Sequence, residues 1–267
     1  MTELLVQQLG ASEQRVRLNA ILHLSRKPAI ALAPAALEAL VGCLESTSKL
    51  VQRHAASALA GIAAHDPKLA PALRRALESD TARIRWGSAY SLGLIEGALD
   101  LRAFPVLLEA LSSSDGDVRW AAAELVARLG LKYPLEVRRG LLDLTAGQNA
   151  DGCKMALYCL RDLKFADEEV CAQASRASLS ATNHVRLAAI SLLAHLADGS
   201  EQSADILLRC LEEDRHEGVR RAAASALGRL KYRSPRVLEA LRRAAQNRTD
   251  SSLSRAARHA LARLERI

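Results

Sequence analysis

The sequence predicts an all-α protein: a right-handed α–α superhelix, or solenoid, of about eight helical hairpins. Three observations carry this. One pattern recurs from end to end, starting at Val16, Val51, Ile84, Val118, Gly152, Val185, Val219 and Leu253, in steps of 35, 33, 34, 34, 33, 34 and 34 residues. A fixed period of this size marks a stacked repeat protein. Inside each copy, apolar residues return at helical spacing. Finally, 49% of the residues are apolar but only 3% aromatic, a balance led by Ala and Leu that suits close helix packing and not a sheet.

With the first residue of each copy as position 0, position 4 reads Ala20, Ala55, Ser88, Ala122, Ala156, Ala189, Ala223 and Ala257. Position 8 reads Leu24, Leu59, Leu92, Val126, Leu160, Leu193, Leu227 and Leu261, and position 11 is mostly Leu or Ile. Positions 0, 4, 8 and 11 share one side of a helix with 3.6 residues per turn. The small residue admits a neighbouring helix, and the leucine fills the space beyond, each burial contributing roughly 1.5–3 kcal/mol. No single copy buries enough to stand alone, so neighbours must stack.

Each unit is therefore an A helix, a turn and this B helix. The units cover about 1–30, 31–65, 66–98, 99–132, 133–165, 166–198, 199–232 and 233–267, read as one domain over 1–267. The first A helix is short, Thr2–Leu9. Later ones are expected from near Pro34, Pro67, Arg102, Pro134, Asp167, Ser200 and Ser234. Proline suits a first helical turn, where its missing N–H costs little, and Ser234-Pro235 adds a capping hydroxyl. Ser112–Asp117 reads as a turn between A and B helices. Gly147–Cys153 lacks the Val-Arg start, so the fifth B helix is expected to begin late. Asp198-Gly199-Ser200 reads as a helix-ending glycine followed by a cap.

Asp117-Val118-Arg119 followed by Ala121-Ala122, with Val185-Arg186 and Val219-Arg220 preceding the same paired alanines, resembles the HEAT-repeat family. The style is that of the bacterial HEAT-like repeats of phycobilisome bilin lyases. The resemblance covers nearly the whole chain and rests on packing residues, so it speaks for fold more than for function. It implies a ladder between units, in which Arg17, Arg85, Arg119, Arg186 and Arg220 pair with Asp80, Asp115, Asp117 and Asp214 of the preceding turns. It also implies that positions 2, 6 and 10 of the B helices line a concave surface.

That surface carries the candidate site. Both tryptophans and two of the four tyrosines fall on it, as Trp86, Tyr90, Trp120 and Tyr158, with Glu124 and Arg128 among them. Aromatic side chains beside arginines are the usual anchors of a binding surface; the alternative is that Trp86 and Trp120 pack on each other. At the C-terminal end the surface reads Arg221, Arg229, Arg255 and Arg263, with Lys231, Arg233, Arg242, Arg243 and Arg258 nearby. From Arg215 onward there are 14 Lys/Arg and 4 Asp/Glu, against 23 and 26 in the rest of the chain. A neutral-to-acidic body thus ends in a strongly basic part, which points to an acidic protein segment or to nucleic acid.

The leading expectation is a non-catalytic, cytoplasmic, bacterial scaffold or adaptor that holds a protein partner. Nucleic-acid binding through the basic repeats is one alternative. A bilin-lyase or phycobiliprotein-chaperone role, implied only by the repeat style, is another. No cofactor or metal is expected. The histidines share no ligand spacing, one His216-Glu217 step cannot build the two-iron site of HEAT-like hydroxylases, and Cys153 and Cys159 do not form a zinc pair. Five cysteines without framework spacing read as reduced thiols. The start Met1-Thr2-Glu3-Leu4 lacks the marks of a signal peptide, and no apolar run approaches the roughly 20 residues that span a bilayer.

Overall fold

The computed structural model describes residues 2–29, 32–196, 201–230 and 232–266. The described residues form sixteen α-helices and two short 3-10 turns, without strands. The A helices are α1 (Thr2–Leu9), α3 (Pro34–Gly42), α5 (Leu69–Ala76), α7 (Phe104–Leu111), α9 (Pro134–Ala146), α11 (Glu168–Ala177), α13 (Glu201–Glu213) and α15 (Pro235–Ala245). The B helices are α2 (Gln14–Ser25), α4 (Lys49–Ala63), α6 (Ala82–Leu94), α8 (Gly116–Lys132), α10 (Ala150–Asp162), α12 (Asn183–Leu193), α14 (Glu217–Leu230) and α16 (Ser251–Leu264). The eight expected hairpins are all present, in an all-α solenoid arrangement.

Two compact units arise, Met1–Ala110 with Trp120–Leu129, and Leu111–Arg119 with Gly130–Ile267. In the first, α2 packs on α4 and α4 on α6, while α1 lies against both α2 and α3. In the second, the B helices pack in the order α10, α12, α14, α16, and the A helices in the order α9, α11, α13, α15. Every residue at position 4 is buried, and at position 8 only Leu261 is not. Position 11 is less uniform: Lys27 is exposed, and Ile95 and Leu163 are half-buried.

Several helix starts follow their capping chemistry. The Asp167 carboxylate accepts the Glu169 and Val170 N–H groups, and the Ser234 hydroxyl accepts that of Val237. Three expectations are corrected. The fifth B helix begins at Ala150, not late, because the Asn149 side chain accepts the Gly152 N–H and caps it. The third A helix begins at Leu69, two residues past Pro67, because Asp66 draws the Lys68 N–H into a turn. Near Arg102 the chain first makes a 3-10 turn over Leu101–Ala103, capped by Asp100, before α7. The expected turn at Asp198–Ser200, the helix start at Ser200 and Lys231 lie outside the described residues. No described helix is long and apolar enough to cross a membrane.

Candidate functional site

Positions 2, 6 and 10 of the eight B helices make up 24 residues, and none is buried. A B helix such as α6 meets its own A helix, α5, and the preceding B helix, α4, and α12 likewise meets α11, α10 and α14. These positions point the remaining way.

In the first unit the large aromatic side chains of the open stripe fall on α6 and α8. The packing side of α6 is built of Gly87, Ser88, Ala89, Ser91, Leu92 and Gly93, all buried. A Cβ on Gly87 would lie 2.7 Å from that of Leu44, and one on Gly93 would collide with the Leu125 side chain. Close neighbours thus leave no room for a side chain at Gly87 or Gly93, and the large side chains Trp86, Tyr90 and Leu94 lie on the other side. Trp86 and Tyr90 are half-buried and one turn apart, with ring centroids 5.7 Å apart at a tilt of 33°. Leu94 is 45% exposed and Trp120 of α8 58%. Arg128 reaches from α8 to the Gly93 carbonyl at the end of α6 at 2.5 Å, so it also ties the two helices together. Glu124, one turn from Trp120, is exposed.

In the second unit Tyr158 is half-buried, and the Arg161 guanidinium lies 4.9 Å from its ring centroid. Arg161 also donates to the Ser191 hydroxyl at 2.8 Å and pairs with Asp162. Sequence reasoning passed over Arg161 because it lies one residue off the stripe. Arg221 and Arg229 of α14 and Arg255 and Arg263 of α16 are all exposed, and none has an ion pair among the described residues.

The expected arginine ladder is present but wired differently. Arg85, Arg119, Arg186 and Arg220 each donate to a backbone carbonyl of the preceding turn, those of Ser79, Ser113, Ser180 and Asp214. Their carboxylate partners come from the following repeat: Glu109, Asp151, Asp214 and, more loosely at 3.9 Å, Asp250. The Asp214 side chain therefore serves Arg186 of the repeat before it, while Arg220 takes only its carbonyl. The reason is geometric, since a position-1 side chain meets its own turn along the backbone and the next repeat through side chains. A second set of pairs, not anticipated from the sequence, joins A-layer elements: Arg138 with Asp167 and Glu169, Arg236 with Asp205, and Arg243 with Glu212.

The thiols offer little nucleophilic chemistry. Burial pushes Cys43 and Cys210 up to about 11 and Cys159 to about 12, so each stays protonated near neutrality. Cys43 lies in the 3-10 turn that follows α3. Cys171 is half-buried. Among the described residues no three His, Cys, Asp or Glu side chains gather as a metal site.

The family model for HEAT repeats matches residues 2–93 and 173–262. Comparison of the sequence with curated proteins gives no match. Among solved structures, yeast importin-β (Kap95p) aligns with a TM-score of 0.67 at 13% identity, over 98% of this chain and 41% of that one. The karyopherin Kap121p, bound to the extreme C-terminus of the phosphatase Cdc14p, aligns at 0.64 and 15%, over 98% and 33%. An Escherichia coli protein, YibA, aligns at 0.60 and 15%, over 100% and 93%. The chain spans about two fifths or less of the karyopherins it resembles. At these identities the likeness is one of fold.

Proposed function

The chain belongs to the HEAT-repeat family, and from that premise we propose that it is a non-catalytic scaffold that holds a protein partner on the open face of its B helices. One observation carries the reading: positions 2, 6 and 10 of the B helices include both tryptophans, and Trp120 is 58% exposed. Large apolar side chains held in water on a rigid layer are characteristic of interaction surfaces. Trp86, Tyr90, Trp120 and, in the second unit, Tyr158 serve as anchors. Glu124 and Arg128 supply polar contacts at the edge of the first group, and Arg221, Arg229, Arg255 and Arg263 an electrostatic end. Kap121p, of the same fold, is seen with a segment of another protein bound, which supports a polypeptide as the guest. The work is assigned to the cytoplasm of a bacterial cell.

The test is a comparative capture experiment in lysate of the source cells. The wild-type chain is expected to retain a defined set of proteins that the Trp86→Ala, Trp120→Ala double variant loses, with the helical circular dichroism of both unchanged. Equal capture by both proteins would refute the reading. So would loss of helical signal in the variant, which would make the rings part of the core.

A further inference from the structure

We infer that the four arginines on α14 and α16 form a receptor for an extended acidic segment of the protein partner, with carboxylates three or four residues apart. This rests on the scaffold reading above and adds the chemistry of the guest.

The arginines are held together by close helix packing. A Cβ on Gly228 of α14 would lie 2.7 Å from the Ala260 Cα of α16, so the two backbones nearly touch. The helices are equivalent elements of successive repeats, so Arg221 stands level with Arg255 and Arg229 with Arg263. Eight residues along a helix cover about 12 Å, and neighbouring helix axes lie about 8–10 Å apart. By that spacing the backbones of the four arginines mark the corners of a small quadrilateral, and all four side chains are exposed.

Among the described residues none of the four has an ion-pair partner. Of the acids nearby, Asp205 pairs with Arg236, Glu212 with Arg243, Asp214 with Arg186 and Asp250 with Arg220, while Glu217 of α14, Glu239 of α15 and Glu265 beyond α16 form no ion pair with them. Four like charges on two rigid helices call for an anion. Guanidinium groups favour carboxylate and phosphate, which they meet two bonds at a time.

The quadrilateral favours carboxylates on a peptide over a nucleic-acid backbone. An extended chain advances about 3.3 Å per residue, so acids three apart span the two helices and acids four apart follow one of them. Single-stranded nucleic acid calls for stacking aromatics, and neither α14 nor α16 contains Phe, Tyr or Trp. A duplex would draw on further exposed arginines, such as Arg242 of α15 and Arg258 of α16, and is the competing ligand in the binding test.

Fluorescence anisotropy on the full chain tests this with three labelled probes: a serine peptide with glutamate at every third position, the same peptide with glutamine instead, and a mixed-sequence DNA duplex. The glutamate peptide is expected to bind, and to weaken as salt rises. The glutamine peptide should bind at least tenfold more weakly, and so should the glutamate peptide to an Arg229→Glu, Arg263→Glu variant. Equal binding of the two peptides, unchanged binding by the arginine variant, or tighter binding of the duplex would overturn the inference. Failure of the scaffold reading shows separately, in the capture experiment, which does not depend on the peptide.

Discussion

Replacing Asp214 with Ala tests whether the repeats are locked by the Arg186–Asp214 pair. Arg186 Nε and Nη2 meet the two carboxylate oxygens at 2.7 and 2.8 Å, and the side chains are only 8% and 7% exposed. Removing one partner of a buried pair strands the other charge and costs about 3–5 kcal/mol. Arg186 Nη1 keeps its bonds to the Ser180 and Ala181 carbonyls, so the lower end, about 3 kcal/mol, is expected. The control is Glu109→Ala, which breaks the bidentate contact with Arg85 at a carboxylate 53% exposed; solvent screening limits that loss to below about 1 kcal/mol. Urea unfolding followed at 222 nm gives the difference, with hydrogen exchange on α12–α14 to detect opening confined to those repeats. An Arg186→Met, Asp214→Ala double variant should lose less than Asp214→Ala alone, because no cation is left behind.

The same pair sets a pH dependence. Burial pushes the Asp214 carboxyl up, but the Arg186 guanidinium and the His216 N–H outweigh burial and hold it below its ordinary value of 3.8. A carboxyl lowered in the folded state stabilises it above the unfolded pKa and loses that contribution as pH falls through the folded one. Wild type should therefore lose its advantage over Asp214→Ala on acidification below about pH 4. A variant within 1 kcal/mol of wild type at pH 7, or one no worse than Glu109→Ala, would refute the reasoning.

Two further substitutions probe the backbone. Lys164 ends α10 at φ 59°, with its N–H on the Arg161 carbonyl and the Phe165 N–H on that of Leu160, both at 3.0 Å. This left-handed helix end favours glycine, so Lys164→Gly should raise stability by about 0.5–1 kcal/mol, read as a higher melting temperature; a lower one would refute it. Gly228→Ala adds a Cβ 2.7 Å from a backbone atom of Ala260. Forcing α14 and α16 apart should cost about 1–3 kcal/mol, against a helix-propensity gain of about 1 kcal/mol. Net stabilisation would show that the helices separate freely.

The fold was legible because packing repeats itself. Ala223 and Leu227 are buried for the same reason as Ala55 and Leu59, and one helix period identifies them all. The details that escaped are those in which one residue changes a boundary or a partner. Asn149 restores a helix start that Gly152 alone would weaken. The ladder was legible as arginines but not as pairs, because a partner such as Asp214 lies 28 residues after Arg186, across a repeat boundary that periodicity cannot orient. The arginines on α14 and α16 were visible as charge. That none of them has an ion pair among the described residues became visible only in the structure.

The open stripe was legible for a different reason. Packing dictates positions 0, 4, 8 and 11, so those residues say what the protein is built like. Packing does not dictate positions 2, 6 and 10, so the side chains there answer to something else. Were solvation the only demand, polar residues would serve throughout, as Arg53 and Ser57 do on α4. Trp120 does not fit that demand. With a surface of roughly 250 Å², of which 58% remains accessible, its full burial against a partner would release about 3–4 kcal/mol at 25 cal/mol per Å². That is an upper bound on its share of binding, since association also costs side-chain and rigid-body freedom. Even half of it would change affinity about tenfold, a gain an exposed arginine or serine at the same position could not provide by burial.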